Sequence, residues 1–243
     1  MKWIDKLLGR AQEERPICSA IVPAAGSASR MGQNKMLLPL DGIPVLARTL
    51  LALDDAELVD EIVVATRSED ILTVGDLCKT YGIRKNVKIV CGGSSRLESV
   101  LQATLECRKD ANFYAVHDGA RPLADGAFID SVIRRAYQTN AAAPAVPVKD
   151  TIKIAQDGVV QSTPNRATLF AVQTPQVFDA SLLSAALQSA RDEGAEITDD
   201  CSAVERLGKT VYLTDGSYEN IKITTPEDIA LATAILQRRE EKV

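Results

Sequence analysis

Runs of β-branched and aliphatic residues alternate along the chain with segments whose apolar positions recur every three or four residues. Ser19–Ala24 reads as a buried strand entering a small-residue loop, and Val45, Leu46, Leu50, Leu51 and Leu53 then follow at helical spacing. Glu61–Ala65 and Val87–Val90 read as strands on either side of a helix over about residues 69–81. Arg96–Cys107 carries Leu97, Val100, Leu101, Thr104 and Leu105 on one helical face, and Phe113–Val116 is the next strand, ahead of a helix at about 126–138. Further on come helices at about 179–193 and from Asp199, a strand at Val211–Leu213, and a closing helix. Thr225 caps that last helix, with Pro226 at its first position and Asp228 three residues after the cap. This alternation predicts an α/β fold, a doubly wound and mostly parallel sheet of Rossmann-like type.

Residues 144–176 interrupt the rhythm. Pro147, Pro164 and Pro175 frame two short β-like runs, Thr151–Ile154 and Val159–Gln161, joined at Asp157-Gly158. Asp-Gly between such runs predicts a hairpin, here a projecting β-arm at about residues 147–170. With no repeat, low-complexity tract or linker, the organisation expected is a leader at 1–15 followed by one domain over 16–243.

Composition narrows the function. Against 28 Lys plus Arg stand 33 Asp plus Glu, a net charge of −5, and aromatics make up only 4%. Neither a nucleic-acid stacking surface nor adhesion to anionic membranes fits that balance, so an anionic ligand must meet a local cationic cluster. A single histidine, His117, rules out sites needing two histidine ligands. The five cysteines include no C-x-x-C pair and read as reduced thiols of a cytoplasmic protein. No run reaches the length of a membrane span, and the charged N-terminus lacks the apolar core of a secretory signal.

The unusual residues gather where strands end, which is where open α/β sheets bind ligands. The first strand runs into Pro23-Ala24-Ala25-Gly26, followed by Arg30-Met31-Gly32 and Lys35: small residues that expose backbone N–H groups, with two cations to meet a polyphosphate. It is neither a Walker loop nor a dinucleotide fingerprint. Gly92-Gly93 opens a helix with Ser99 one turn inside, and Asp118, after the fourth strand, suits Mg²⁺ held jointly with phosphate oxygens. Taken singly, each also has a structural reading, as a small-residue turn with solvated cations, an ordinary strand-to-helix turn, or a capping carboxylate. Asp199 and Asp200 read as helix-dipole complements, and His117 as a structural hydrogen-bonding residue.

Together these segments resemble the 2-C-methyl-D-erythritol 4-phosphate cytidylyltransferase family of the non-mevalonate isoprenoid pathway. The match continues through His117-Asp118-Gly119-Ala120-Arg121-Pro122, Pro147–Lys153, Gln173-Thr174-Pro175-Gln176, Ile197–Asp200 and Asn220–Asp228, covering about residues 18–238. The resemblance implies a nucleotidyltransferase fold that transfers CMP from CTP to a polyol phosphate with Mg²⁺. It implies CTP contacts at Pro23, Ala24, Ala25, Gly26, Gly93, Ser99, Asp118 and Gly119, with Arg30 and Lys35 on the triphosphate and Asp118 on the metal. Arg121, Thr151, Arg166, Thr198 and Lys222 would position the acceptor, and Arg30, Lys35, Arg166 and Lys222 would be catalytic. It further implies a homodimer in which the arm carries Thr151 and Arg166 into the partner's site.

The reaction suits a chain with one histidine. An acceptor phosphate monoester carries about −1.5 to −2 charge at neutral pH and needs no general base to attack phosphorus. Ribitol 5-phosphate is an alternative acceptor, a sugar 1-phosphate nucleotidyltransferase shares only the opening loop, and a nucleotide-binding module without turnover is the reading from another class.

Overall fold

The computed structural model describes residues 15–26 and 34–241; the leader through residue 14 and the predicted phosphate contact Arg30 lie outside the described residues. In chain order the strands are β1 (Cys18–Pro23), β2 (Pro39–Leu40), β3 (Ile43–Pro44), β4 (Glu61–Thr66), β5 (Asn86–Cys91), β6 (Phe113–Val116), β7 (Ala141–Pro147), β8 (Ile154–Gln156), β9 (Val159–Ser162), β10 (Phe170–Val172), β11 (Gln176–Asp179) and β12 (Tyr212–Asp215). The α-helices are α1 (Val45–Asp55), α2 (Ile71–Thr80), α3 (Arg96–Glu106), α4 (Gly126–Thr139), α5 (Ala180–Asp192), α6 (Asp200–Arg206) and α7 (Pro226–Glu240).

The main sheet runs β10-β7-β11-β6-β1-β4-β5, with β12 on the other side of β7. Strands β6, β1, β4 and β5 are mutually parallel, as are β7 and β12, whereas β11 is antiparallel to both β6 and β7. Both faces of the sheet are covered, and alternation along each strand divides the core. Ala20 and Val22 of β1 join Ile62 and Val64 of β4 against α1, α2, α4 and α7. Ile21, Val63 and Ala65 face α3, α5 and α6. Strands buried on both faces must be apolar throughout, which is why β1 and β4 read as continuous hydrophobic runs.

Helix starts follow from local chemistry. Ser95 caps α3 by accepting from Glu98 N, Asp125 caps α4, Asp179 caps α5, and Asp199 forms a capping box with Ser202. At α7, Asp228 Oδ2 accepts from Thr225 N at 2.8 Å, with Pro226 in the first turn as expected.

The predicted hairpin is present, shifted toward the turn. Ile154–Gln156 pairs with Val159–Ser162, and Asp157 (φ 50°) and Gly158 (φ 78°) both adopt the positive φ of a type I′ turn. Among the described residues these two strands pair only with each other, and Ile154, Val159 and Val160 are exposed.

Strand periodicity did not reveal β7, β10, β11 or the small β2–β3 pair. Strand β7 is Ala-Ala-Ala-Pro-Ala-Val-Pro, poor in the branched residues that mark strands. Its alanines are selected by crowding instead: Ala142 packs into one core layer, Ala141 and Ala143 into the other beside Phe178. Its prolines cannot donate, yet Pro144 O accepts from Gln173 N at 2.7 Å.

The Gln173–Gln176 segment, running from the β10–β11 connection into β11, locks the sheet to the surrounding loops. Gln176 Oε1 accepts from Asp200 N (3.0 Å) and Cys201 N (3.1 Å), and its Nε2 donates to Asp199 Oδ2 at 2.8 Å, fixing the start of α6. Gln173 Nε2 donates to Ser217 O at 2.7 Å, and Asn220 Nδ2 donates to Thr174 O at 3.0 Å, fixing the loop before α7. Gln176→Leu keeps the volume but leaves two buried N–H donors without an acceptor, which should cost about 2–4 kcal/mol. At 2–4 °C per kcal/mol this is a fall of roughly 4–16 °C in Tm, readable by calorimetry.

Candidate active site

A cavity of about 410 Å³ opens where β1, β5 and β6 end, a volume typical of a small-ligand site. Its wall takes Pro23 from the end of β1, Ala25 and Gly26 from the loop after it, Gly93, Arg96 and Ser99 from the β5–α3 junction, and Asp118 and Gly119 from the loop after β6. Lys35 and Lys222 complete it, so residues widely separated in the chain meet at the predicted strand ends.

Close approach explains the paired glycines. A Cβ on Gly92 would stand 2.7 Å from Ala25 Cβ and 2.9 Å from Ser99 Oγ, and one on Gly93 would collide with Glu98 Cβ. Without side chains the β5–α3 turn packs onto its own helix, where Ser99 Oγ accepts from Gly93 N at 3.1 Å. Glu98 Oε2 accepts from Ser94 N at 2.7 Å and holds the turn from the other side.

Charge is concentrated around Asp118. Asp118 is 6% exposed, and each of its oxygens meets a different cation: Oδ1 accepts from Arg96 Nη1 at 2.7 Å and Oδ2 from Lys222 Nζ at 2.8 Å. Burial pushes the Asp118 carboxyl up, but the Arg96 and Lys222 charges outweigh it and hold the group well below the usual carboxylate range. The other arm of Arg96 reaches Asp200, Nη2 to Oδ2 at 2.6 Å. Asp200 is wholly buried, and that burial raises its carboxyl above the usual range despite the Arg96 charge. Lys35 Nζ donates to Ile223 O at 3.0 Å, which brings it beside the segment carrying Lys222. Among the described residues, the wall thus holds three cations to one carboxylate in a chain of net charge −5.

His117 stands behind Asp118 with no solvent exposure. Its Nε2 is 3.3 Å from Arg121 O, an obligate acceptor, so Nε2 carries the proton. Nδ1 then accepts from Thr174 Oγ1 at 3.1 Å, and Thr174 Oγ1 accepts from Asp118 N at 3.0 Å. Burial lowers the imidazole to about 4, against the pull of Asp118, and keeps the ring neutral. The structural reading of His117 therefore holds: it orients the turn bearing Asp118.

Ala24 is buried beneath the cavity wall and donates its N–H to Ala65 O at 2.7 Å. Arg121 lies behind the wall, donating Nη1 to Asn220 O at 2.6 Å, with Nε 3.7 Å from Asp118 Oδ2. Thr151, Arg166 and Thr198 are exposed and do not line this cavity; Arg166 Nη1 donates to Lys149 O on the arm. Two ionic residues went unassigned in the sequence. Arg96 follows the paired glycines by three residues, but its partners lie 22 and 104 positions away. Asp200, read as a dipole complement, faces inward, while its neighbour Asp199 does cap the helix.

The model of 2-C-methyl-D-erythritol 4-phosphate cytidylyltransferase matches residues 18–238. The chain belongs to that family. Among curated relatives, the 2-C-methyl-D-erythritol 4-phosphate cytidylyltransferase of Desulforamulus reducens is 46% identical over 224 residues, covering 90% of this chain and 96% of the relative. That of Bacillus cytotoxicus is 44% identical, covering 90% and 98%. The crystal structure of 4-diphosphocytidyl-2C-methyl-D-erythritol synthase from Anaerococcus prevotii superposes with a TM-score of 0.83 at 32% identity, covering 91% of this chain and 99% of that one. The cytidylyltransferase fold of the family is therefore the fold of this chain, a mixed sheet with mostly parallel strands.

The buried, neutral histidine has a measurable consequence. Unfolded, the ring binds a proton at 6.5, whereas the fold resists protonation down to about 4. This contribution to stability is complete above pH 6.5 and is lost as pH falls toward 4, by up to about 3 kcal/mol. Because the chain has one histidine, ring NMR of untagged protein reports it alone. Neutral Nε2–H signals should persist unchanged from pH 8 to 5; a midpoint near 6.5 would contradict the assignment.

Proposed function

We propose that the cavity between β1, β5 and β6 is where the family reaction occurs: the acceptor phosphate of 2-C-methyl-D-erythritol 4-phosphate attacks the α-phosphorus of CTP. One P–O bond forms to the acceptor oxygen, the α–β bridging bond breaks, and 4-diphosphocytidyl-2-C-methyl-D-erythritol and pyrophosphate leave. The observation that carries this reading is the cationic wall of Lys35, Arg96 and Lys222 around the ionised carboxylate of Asp118. Such a wall fits a polyphosphate and offers no exposed imidazole as a base.

Catalysis on this reading is alignment and charge neutralisation. The Gly92-Gly93 turn and Ser99 take the cytosine, whose one-ring size fits the tight approach there. Lys35 grips the triphosphate, with Arg30 as a second grip. Lys222, held at the cavity wall by Asp118 Oδ2, meets the developing charge between donor and acceptor. Asp118 is the carboxylate positioned for Mg²⁺, and among the described residues no cluster of three or more His, Cys, Asp or Glu forms a cage. The donor set thus fits a hard cation held jointly by Asp118 and the nucleotide oxygens, where it would neutralise charge on the pyrophosphate.

Thr151 and Arg166 serve a second copy of the chain in this proposal, through a homodimer built on the arm. Exposed apolar side chains support it: Ile152, Ile154, Val159, Val160, Phe170 and Val172 would be covered on association. We place the enzyme in the cytoplasm, where the five free thiols stay reduced. No helix among the described residues is long and apolar enough to cross a membrane.

Acceptor and donor panels read by pyrophosphate release test the assignment. Turnover should require CTP, with ATP and GTP much slower, and 2-C-methyl-D-erythritol 4-phosphate should outrun ribitol 5-phosphate; the reverse order for either substrate would overturn it. The shared site is tested by mixing two inactive variants, Lys35→Ala and Arg166→Ala. Random mixing of a twofold dimer gives half heterodimers with one intact site each, so about one quarter of wild-type activity should return. No recovery would place Arg166 in its own chain's site.

A further inference from the structure

Asp200 is a fully buried carboxylate that contributes no wall to the cavity, and its Oδ1 has no hydrogen-bond partner. Fold stability is a poor reason for such a group, because buried ion pairs are often replaceable by apolar residues without loss. Its surroundings show how firmly it is placed: Gln176 of β11 takes the N–H groups of Asp200 and Cys201, so the carboxylate is anchored to the sheet. From there it accepts Arg96 Nη2 while Arg96 Nη1 goes to Asp118 Oδ1.

A guanidinium beside a single carboxylate closes on both oxygens as a fork. Closed in that way on Asp118, Arg96 would take Oδ2, which here belongs to Lys222. We infer that Asp200 is a positioning residue for the transfer reaction: it occupies one arm of Arg96, so that Arg96 holds only Oδ1 of Asp118 and leaves Oδ2 to Lys222. A lysine at position 96 would not reproduce this, since one ammonium has no fixed fork to span two carboxylates.

The inference rests on Lys222 acting in the reaction, and a double-mutant cycle separates the two claims. Lys222→Ala alone tests the reading of the site, with kcat expected to fall about 100-fold. Asp200→Ala should lower kcat about 10-fold or more in the wild-type background, yet less than about 2-fold in the Lys222→Ala background, because the contact it protects is already gone. Asp200→Asn, which keeps an oxygen for Arg96, should recover part of the loss. Arg96→Lys should show the same background dependence and carries the test if Asp200→Ala does not fold. A merely structural Asp200 would lower Tm and reduce kcat equally in both backgrounds, which would overturn the inference, as would wild-type kcat in Asp200→Ala. Wild-type kcat in Lys222→Ala would overturn the site reading itself, and this inference with it.

Discussion

Asp118, with one oxygen on Arg96 and the other on Lys222, is the contact on which the arrangement of the cavity depends. Around it three separate parts of the chain are brought to one point: the β5–α3 turn through Arg96, the loop after β6 through Asp118 itself, and the segment before α7 through Lys222. In a buried setting a carboxylate is tolerable only when paired, and here the pairing doubles as construction. Thr174 fixes the backbone of Asp118 from behind, and His117 fixes Thr174. His117, Thr174, Arg96 and Asp200 form one connected set of bonds around this acid, while the buried Glu61, Asp54 and Asp130 anchor separate ones.

That construction suits phosphoryl chemistry without a protein base. On the proposed reading, the wall supplies positive charge before substrate arrives, so little reorganisation is needed when triphosphate charge enters. Lys222 is the most exposed of the cations around Asp118, its side chain 42% accessible against 29% for Arg96, and so the one best placed to reach a substrate while Asp118 holds it. The chain's negative balance keeps this positive potential local.

Most of the parallel half of the fold was legible in the sequence, because strands covered on both faces leave continuous apolar runs such as Ile62–Ala65 and helices leave stripes such as Leu97, Val100 and Leu101. Local punctuation also read true: the Asp157-Gly158 turn and the Thr225-Pro226 helix start depend on neighbours in sequence alone. Strand β7 was not legible, since its alanines satisfy a packing constraint set by Phe178 and the helices rather than a strand propensity. The cavity residues after β1, β5 and β6 came together as their strand-end positions implied. The Arg96–Asp200 pair did not show itself, because it depends on which way a buried first-turn acid points. Gln176, 24 residues before Asp200, decides that.

Whether the acceptor's own phosphate carries the nucleophilic charge is read most directly from the pH dependence of kcat/KM for the acceptor. The comparison sets 2-C-methyl-D-erythritol 4-phosphate against its phosphonate analogue, whose second ionisation is higher. The rising limb should follow the acceptor, near pH 6 for the phosphate, and move upward with the phosphonate. A limb that stays in place when the acceptor changes would assign the proton acceptor to the protein and contradict a site that works by charge alone.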